Sequence, residues 1–110
     1  MRRILIGLVP AVLAGQNAWA EDVKVGMKNS LFAPTTVTVR VGDKVVWIND
    51  DEDGHHRVDF DDPAIATSGD LKPGKQYAVV FDKAGEFAFS CRYHKDYGMR
   101  GKVVVTNPAK

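Results

Sequence analysis

Cys91, His94 and Met99 stand together near the C-terminus, in the run Ser90-Cys91-Arg92-Tyr93-His94-Lys95-Asp96-Tyr97-Gly98-Met99. A thiolate donor, an imidazole three residues on and a thioether five further on make a compact set of soft and borderline metal ligands. Soft sulfur favours Cu(I), and imidazole suits copper in both oxidation states. A second imidazole is available at His55 or His56. Either would complete a trigonal His₂Cys site with a weak axial Met, the donor arrangement of one-electron copper centres. Zinc suits the set less well, because Met is a poor zinc ligand.

Such donors need elements that hold them still. From Val23 onward the chain reads mostly with period two. Val23, Val25 and Met27 alternate with polar residues, as do Val37, Val39 and Val41, and then Tyr77, Val79 and Phe81. Val45, Trp47 and Ile48 follow a Gly42-Asp43 turn, Phe87 and Phe89 lead into Cys91, and Val103, Val104 and Val105 form a last strand. β-Branched and aromatic residues fill these runs, and Gly, Pro and Asp punctuate them. No stretch sustains a helical period, and residues 63–67 read equally as loop or single helical turn. The expectation is an all-β antiparallel sandwich with Greek-key connections. Met27, Trp47 and the Phe residues read as core. Cys91 ends a strand, and Gly98 and Gly101 around Met99 allow the backbone a tight return.

Length and composition narrow the setting. The 110 residues suffice for one domain. Arg2 and Arg3, an apolar stretch over residues 4–15 and the small-x-small Ala18-Trp19-Ala20 read as a secretory signal peptide over residues 1–20. The apolar stretch is shorter than the ~20 residues a bilayer span needs. The domain is then residues 21–110, exported and, in a bacterial setting, periplasmic. Without Arg2 and Arg3 it carries 13 Lys+Arg against 14 Asp+Glu, a formal charge of −1. That balance leaves no electrostatic footprint for nucleic acid. The single cysteine of an exported chain has no internal disulfide partner, which points further to a metal ligand. Asp50, Asp51, Glu52 and Asp53 form an acidic run, and Arg92, Lys95, Arg100 and Lys102 surround the donors.

Three stretches carry a family resemblance. Phe32-x-Pro34, Val41-Gly42-Asp43 and Val45-x-Trp47-x-Asn49 form the first. Ala84-Gly85-Glu86-Phe87-Ala88-Phe89-Ser90-Cys91 is the second, and Cys91-x-x-His94-x4-Met99 followed by Gly101 is the third. Together they resemble the small cupredoxins of the plastocyanin, pseudoazurin and amicyanin family, over nearly the whole of residues 21–110. The resemblance implies one copper ion held by His56, Cys91, His94 and Met99. His56-Arg57-Val58-Asp59-Phe60 fits the family's H-x-V-x-F stretch. Counting forward from Trp47 at the amicyanin loop length gives His55 instead. His56 is preferred, because strand register after the ligand decides which way side chains point, and an extra residue is absorbed more easily in residues 50–54. The chain departs from the family at three places. Arg57 stands where many members have Asn or Thr, which puts the usual tie between the ligand loops in question. Tyr93 replaces a common Pro, and Gly54-His55 replaces a common Pro-His.

The function implied is one-electron transport between redox partner proteins, with transient docking near the His94 ring edge. Tyr93 and Tyr97 would frame that surface, and Arg92, Lys95 and Arg100 would steer an acidic partner. A copper-trafficking or storage protein with the same ligands is the alternative. No enzyme is expected, since three His without an H-x-H pair are too few for the additional metal sites of copper reductases.

Overall fold

The computed structural model describes residues 22–94 and 98–107; the expected leader, Lys95 and Tyr97 lie outside these. Eight strands and no helix occur among the described residues. They are β1 (Asp22–Lys28), β2 (Leu31–Ala33), β3 (Thr36–Arg40), β4 (Lys44–Asn49), β5 (Asp59–Phe60), β6 (Gln76–Val80), β7 (Gly85–Ser90) and β8 (Arg100–Thr106). Residues 63–67 lie in a loop, opened where the Asp62 side chain accepts the Ala64 N–H at 2.9 Å.

Two four-stranded sheets form, in the orders β2-β1-β4-β6 and β3-β8-β7-β5. The sandwich is as expected, but its sheets are mixed. β1 runs parallel to β4, with Val25 opposite Trp47, and β3 runs parallel to β8, with Val37 opposite Val103. The other pairings are antiparallel. Alternation reports only that one face of a strand is buried; it has period two in either kind of sheet. Pairing direction follows instead from the path. The chain leaves the first sheet after β2, lays down β3 in the second, and returns as β4 beside β1 in β1's own direction.

The inward positions are those the alternation marks. Val25 and Met27 of β1, Val45 and Trp47 of β4, and Val103 and Val105 of β8 are buried, as are Val37, Val39 and Phe89. Each such side chain stabilises the fold by roughly 1.5–3 kcal/mol relative to exposure. Phe89 is central: its ring meets Phe32 edge-on at 4.8 Å and Trp47 at 5.3 Å. Gly101 makes room for it. A Cβ there would lie 2.6 Å from Phe89 Cζ and 2.5 Å from the Thr35 carbonyl oxygen. Gly101 thus serves by close approach, whereas Gly98, at φ 92°, supplies the turn conformation before Met99.

At one pole of the sandwich β7 ends and β8 begins, with Ser90 opposite Arg100. The next rung continues the ladder outward, as Cys91 N–H donates to the Met99 carbonyl at 3.2 Å. Cys91 and Met99 are therefore mounted on two adjacent core strands.

Candidate metal centre

Inward alternation along β7 carries over to Cys91, which follows Phe89 by two residues and is wholly buried. The chain then turns at once. His94 N–H donates to the Cys91 carbonyl at 3.0 Å, and Met99 N–H to the His94 carbonyl at 3.2 Å. With the Cys91–Met99 rung, these bonds close a small ring of backbone around the three donor-bearing residues. His94 is partly exposed, and Met99 is fully buried.

His56 arrives from the opposite side. It lies in the loop after β4 and pairs as an isolated bridge with Leu71, through hydrogen bonds of 3.1 and 2.8 Å. Buried Asn49, the last residue of β4, shapes that loop. Its amide donates to the carbonyls of Gly54 (3.1 Å) and Leu71 (2.8 Å), and its oxygen accepts the Asp51 N–H (3.0 Å). Gly54, at φ 91°, then turns the chain inward so that His56 is 2 % exposed. His55 points elsewhere; it is exposed, with Nδ1 3.9 Å from Asp70.

The donor atoms of His56, Cys91 and His94 all lie within 4.8 Å of one another. Cys91 Sγ is 3.5 Å from His94 Nδ1 and 4.0 Å from His56 Nδ1. The two imidazole rings are 5.2 Å apart. A first-row ion bound at about 2.0–2.3 Å sets its ligands apart by roughly these distances. A soft sulfur and paired imidazoles, two of the three buried, fit copper, and Met99, buried and bonded through its backbone to Cys91 and His94, is the residue that would offer a thioether. Among the described residues no other grouping of His, Cys, Asp or Glu is close enough to hold an ion.

The surroundings orient these donors. His56 Nε2 is 2.6 Å from Asp51 Oδ2. An ionised carboxylate only accepts, so Nε2 carries the proton and Nδ1 presents its lone pair toward Cys91. The hydrogen bond from His56, and after it the Asn29 N–H, hold Asp51 below the usual carboxylate range despite some burial. Arg57 N–H donates to Cys91 Sγ at 3.4 Å and so ties the sulfur to the residue after His56.

Arg57 removes a short polar side chain between the loops, yet the loops remain tied. Asp59 accepts from Arg57 Nη2 (3.0 Å), Thr67 Oγ1 (2.6 Å) and the Arg92 N–H (3.1 Å), so it joins the His56 side to the residue after Cys91. Burial pushes the Asp59 carboxyl up, but the bonds from Arg57 and Thr67, the Arg57 charge and the Arg92 N–H outweigh it and leave the pKa lowered. Asn49, Asp51, Asp59 and Asp70 were not among the residues expected at the site. The signal for Asp51 was the acidic run, which on sequence alone reads as a solvated loop.

Beside the rings a notch opens to solvent, bordered by Asn29, Asp51, Asp53, His55, Tyr93 and His94. Tyr93 is 47 % exposed, Arg92 beside it is exposed, and so is Arg100 at the start of β8.

Comparison with known proteins agrees with this geometry. A family model described as a cupredoxin-like domain matches residues 3–105. The chain is 39 % identical over 101 residues to a chloroplast plastocyanin from Tetradesmus obliquus, covering 81 % of this chain and 69 % of that protein. It is 32 % identical over 97 residues to an amicyanin from Paracoccus versutus, covering 84 % and 71 %. Among solved structures, a Cu(I) amicyanin variant aligns with a TM-score of 0.70 at 29 % identity, over 77 % of this chain and 82 % of that one. A purple cupredoxin from Nitrosopumilus maritimus shares the fold, with a TM-score of 0.68 at 23 % identity over 77 % of this chain and all of that one. The pole where His56, Cys91 and His94 meet, the mixed-sheet sandwich and these likenesses agree: this chain belongs to the cupredoxin-like family.

Proposed function

We propose that this protein is a blue-copper electron carrier, holding one copper ion through His56, Cys91, His94 and Met99 and passing single electrons between partner proteins in the periplasm. The observation that carries the reading is the meeting of two imidazoles and one thiol, from segments 35 residues apart, within 4.8 Å at a mostly buried pole. Copper, when bound, supplies the one-electron couple.

The chain's own residues do the rest. Asp51 fixes the His56 tautomer, so Nδ1 is available without a proton to displace. The Arg57 N–H, 3.4 Å from Cys91 Sγ, orients the sulfur within the buried pole. Backbone bonds among Cys91, His94 and Met99 mount their donors on β7 and β8, so little rearrangement accompanies a change of charge. His94 is the partly exposed ligand and lies beside the open notch, which makes its ring the route for electrons. A small docking surface around His94 and Tyr93, with Arg92 and Arg100 nearby, suits a transient encounter with an acidic partner. Export is supported by the basic, apolar and small-residue pattern of residues 1–20.

The copper-loaded protein tests this. It is expected to show an intense visible thiolate-to-copper band at one ion per chain, and to exchange electrons faster than it yields copper to a chelator. Ready release of copper with slow electron exchange would favour trafficking or storage instead.

A further inference from the structure

Tyr93 OH donates to Asp70 Oδ1 at 2.5 Å, across 23 residues of chain. Each partner adjoins a residue of the site or of its support. Tyr93 precedes His94, and Asp70 precedes Leu71, whose backbone is bonded twice to that of His56. Arg57 Nη1 lies 3.8 Å from the same Asp70 oxygen, and His55 Nδ1 lies 3.9 Å from the other. Asp70 is thus a node joining the His56 segment, the segment before Leu71 and the loop that carries His94.

The residue type matters. A proline before His94 would stiffen the loop through its own fixed φ. Tyr93 leaves that backbone angle free, so any restraint beyond the segment's own backbone bonds has to come from its side chain. The phenol supplies it by reaching a carboxylate on the opposite segment, through a charge-assisted hydrogen bond.

We propose that Asp70 and Tyr93 are positioning residues, a side-chain strap that locks the His94 loop to the His56 segment and holds both imidazoles in place whether or not metal is bound. The inference rests on the copper reading above for its effect on metal, but not for its effect on the loop. A donor held beforehand does not swing away when one metal bond breaks, so the strap slows copper release.

The test is a double-mutant cycle with Tyr93→Phe, Asp70→Ala and both together, in the full domain. Release of copper to excess chelator is expected to speed up about three- to tenfold in each single variant, the worth of one net hydrogen bond. The double variant is expected to be no faster than the faster single. Asp70→Asn keeps an acceptor oxygen and is expected to retain most of the wild-type rate. In copper-free protein, exchange of the His94 N–H should rise by a similar factor, while the midpoint of global unfolding stays put. Wild-type release and exchange rates in both single variants would overturn the strap, as would effects that multiply in the double variant. Failure of the wild type to take up copper would sink the copper reading alone; the His94 exchange rates would still decide the strap.

Discussion

The two sides of the metal pole are built on different principles. The Cys91–Met99 side closes on itself, with hydrogen bonds that join Cys91, His94 and Met99 and rest on adjacent core strands. The His56 side makes no such ring. His56 is held by residues that are remote or on other segments: Asn49 from the end of β4, Leu71 across an isolated bridge, and Asp51 on its Nε2. One side is a local device, the other an assembly. The local side rests on two adjacent strands, whereas the assembled side draws its supports from several segments.

The largest effect should therefore follow from the support that reaches furthest. Asn49→Ala strips partners from the Gly54 and Leu71 carbonyls and from the Asp51 N–H in one step. It is expected to cost about 2–4 kcal/mol in denaturant unfolding of the copper-free protein, given roughly 1–3 kcal/mol for a buried group left unpaired. A cost below ~1 kcal/mol would mean the His56 side does not depend on it.

Next comes Asp51→Ala, which leaves the fold and frees the His56 ring to turn. Outer partners of ligating histidines are worth about 10–100-fold in metal affinity. Copper affinity should fall within that range with unfolding little changed, as read by competition with a chelator. Unchanged affinity would show that packing alone orients His56.

The smallest effect joins the two sides. Asp59 has a lowered pKa in the fold, so its contribution to stability is present above the ordinary carboxylate value of 3.8 and is lost as pH falls through the lower folded value. Wild type should exceed Asp59→Asn in thermal stability at neutral pH, and the gap should shrink below about pH 3.8. A gap that is constant down to pH 2 would assign the tie to neutral hydrogen bonds alone.

The same contrast explains what the sequence disclosed. Cys91, His94 and Met99 could be read as a unit because their spacing is short and their scaffold is a strand end. The core strands were legible too, because Val25, Met27, Val45, Trp47 and Phe89 fall on alternating positions. Parallel pairing was not, since period two is blind to direction. His56 was preferred over His55 through the H-x-V-x-F resemblance and strand register, since the two have the same chemistry; in the fold, the turn at Gly54 and a bridge to Leu71 separate them. Asp51 showed only as part of an acidic run and Asp59 only within the H-x-V-x-F stretch, because an aspartate that accepts from His56 or from the Arg92 N–H looks the same in sequence as one in water. Gly101 stood out in the motif for the wrong reason; its role is the space it leaves for Phe89.

The central claim is that His56 and Cys91 share one copper ion. The optical spectrum of the copper-loaded protein, compared with those of His55→Ala and His56→Ala, tests it most directly. The account predicts an intense visible band in the wild type that survives the loss of His55 and disappears with His56. A colourless wild type after oxidation with one equivalent of copper, or a band that depends on His55 instead, would contradict it.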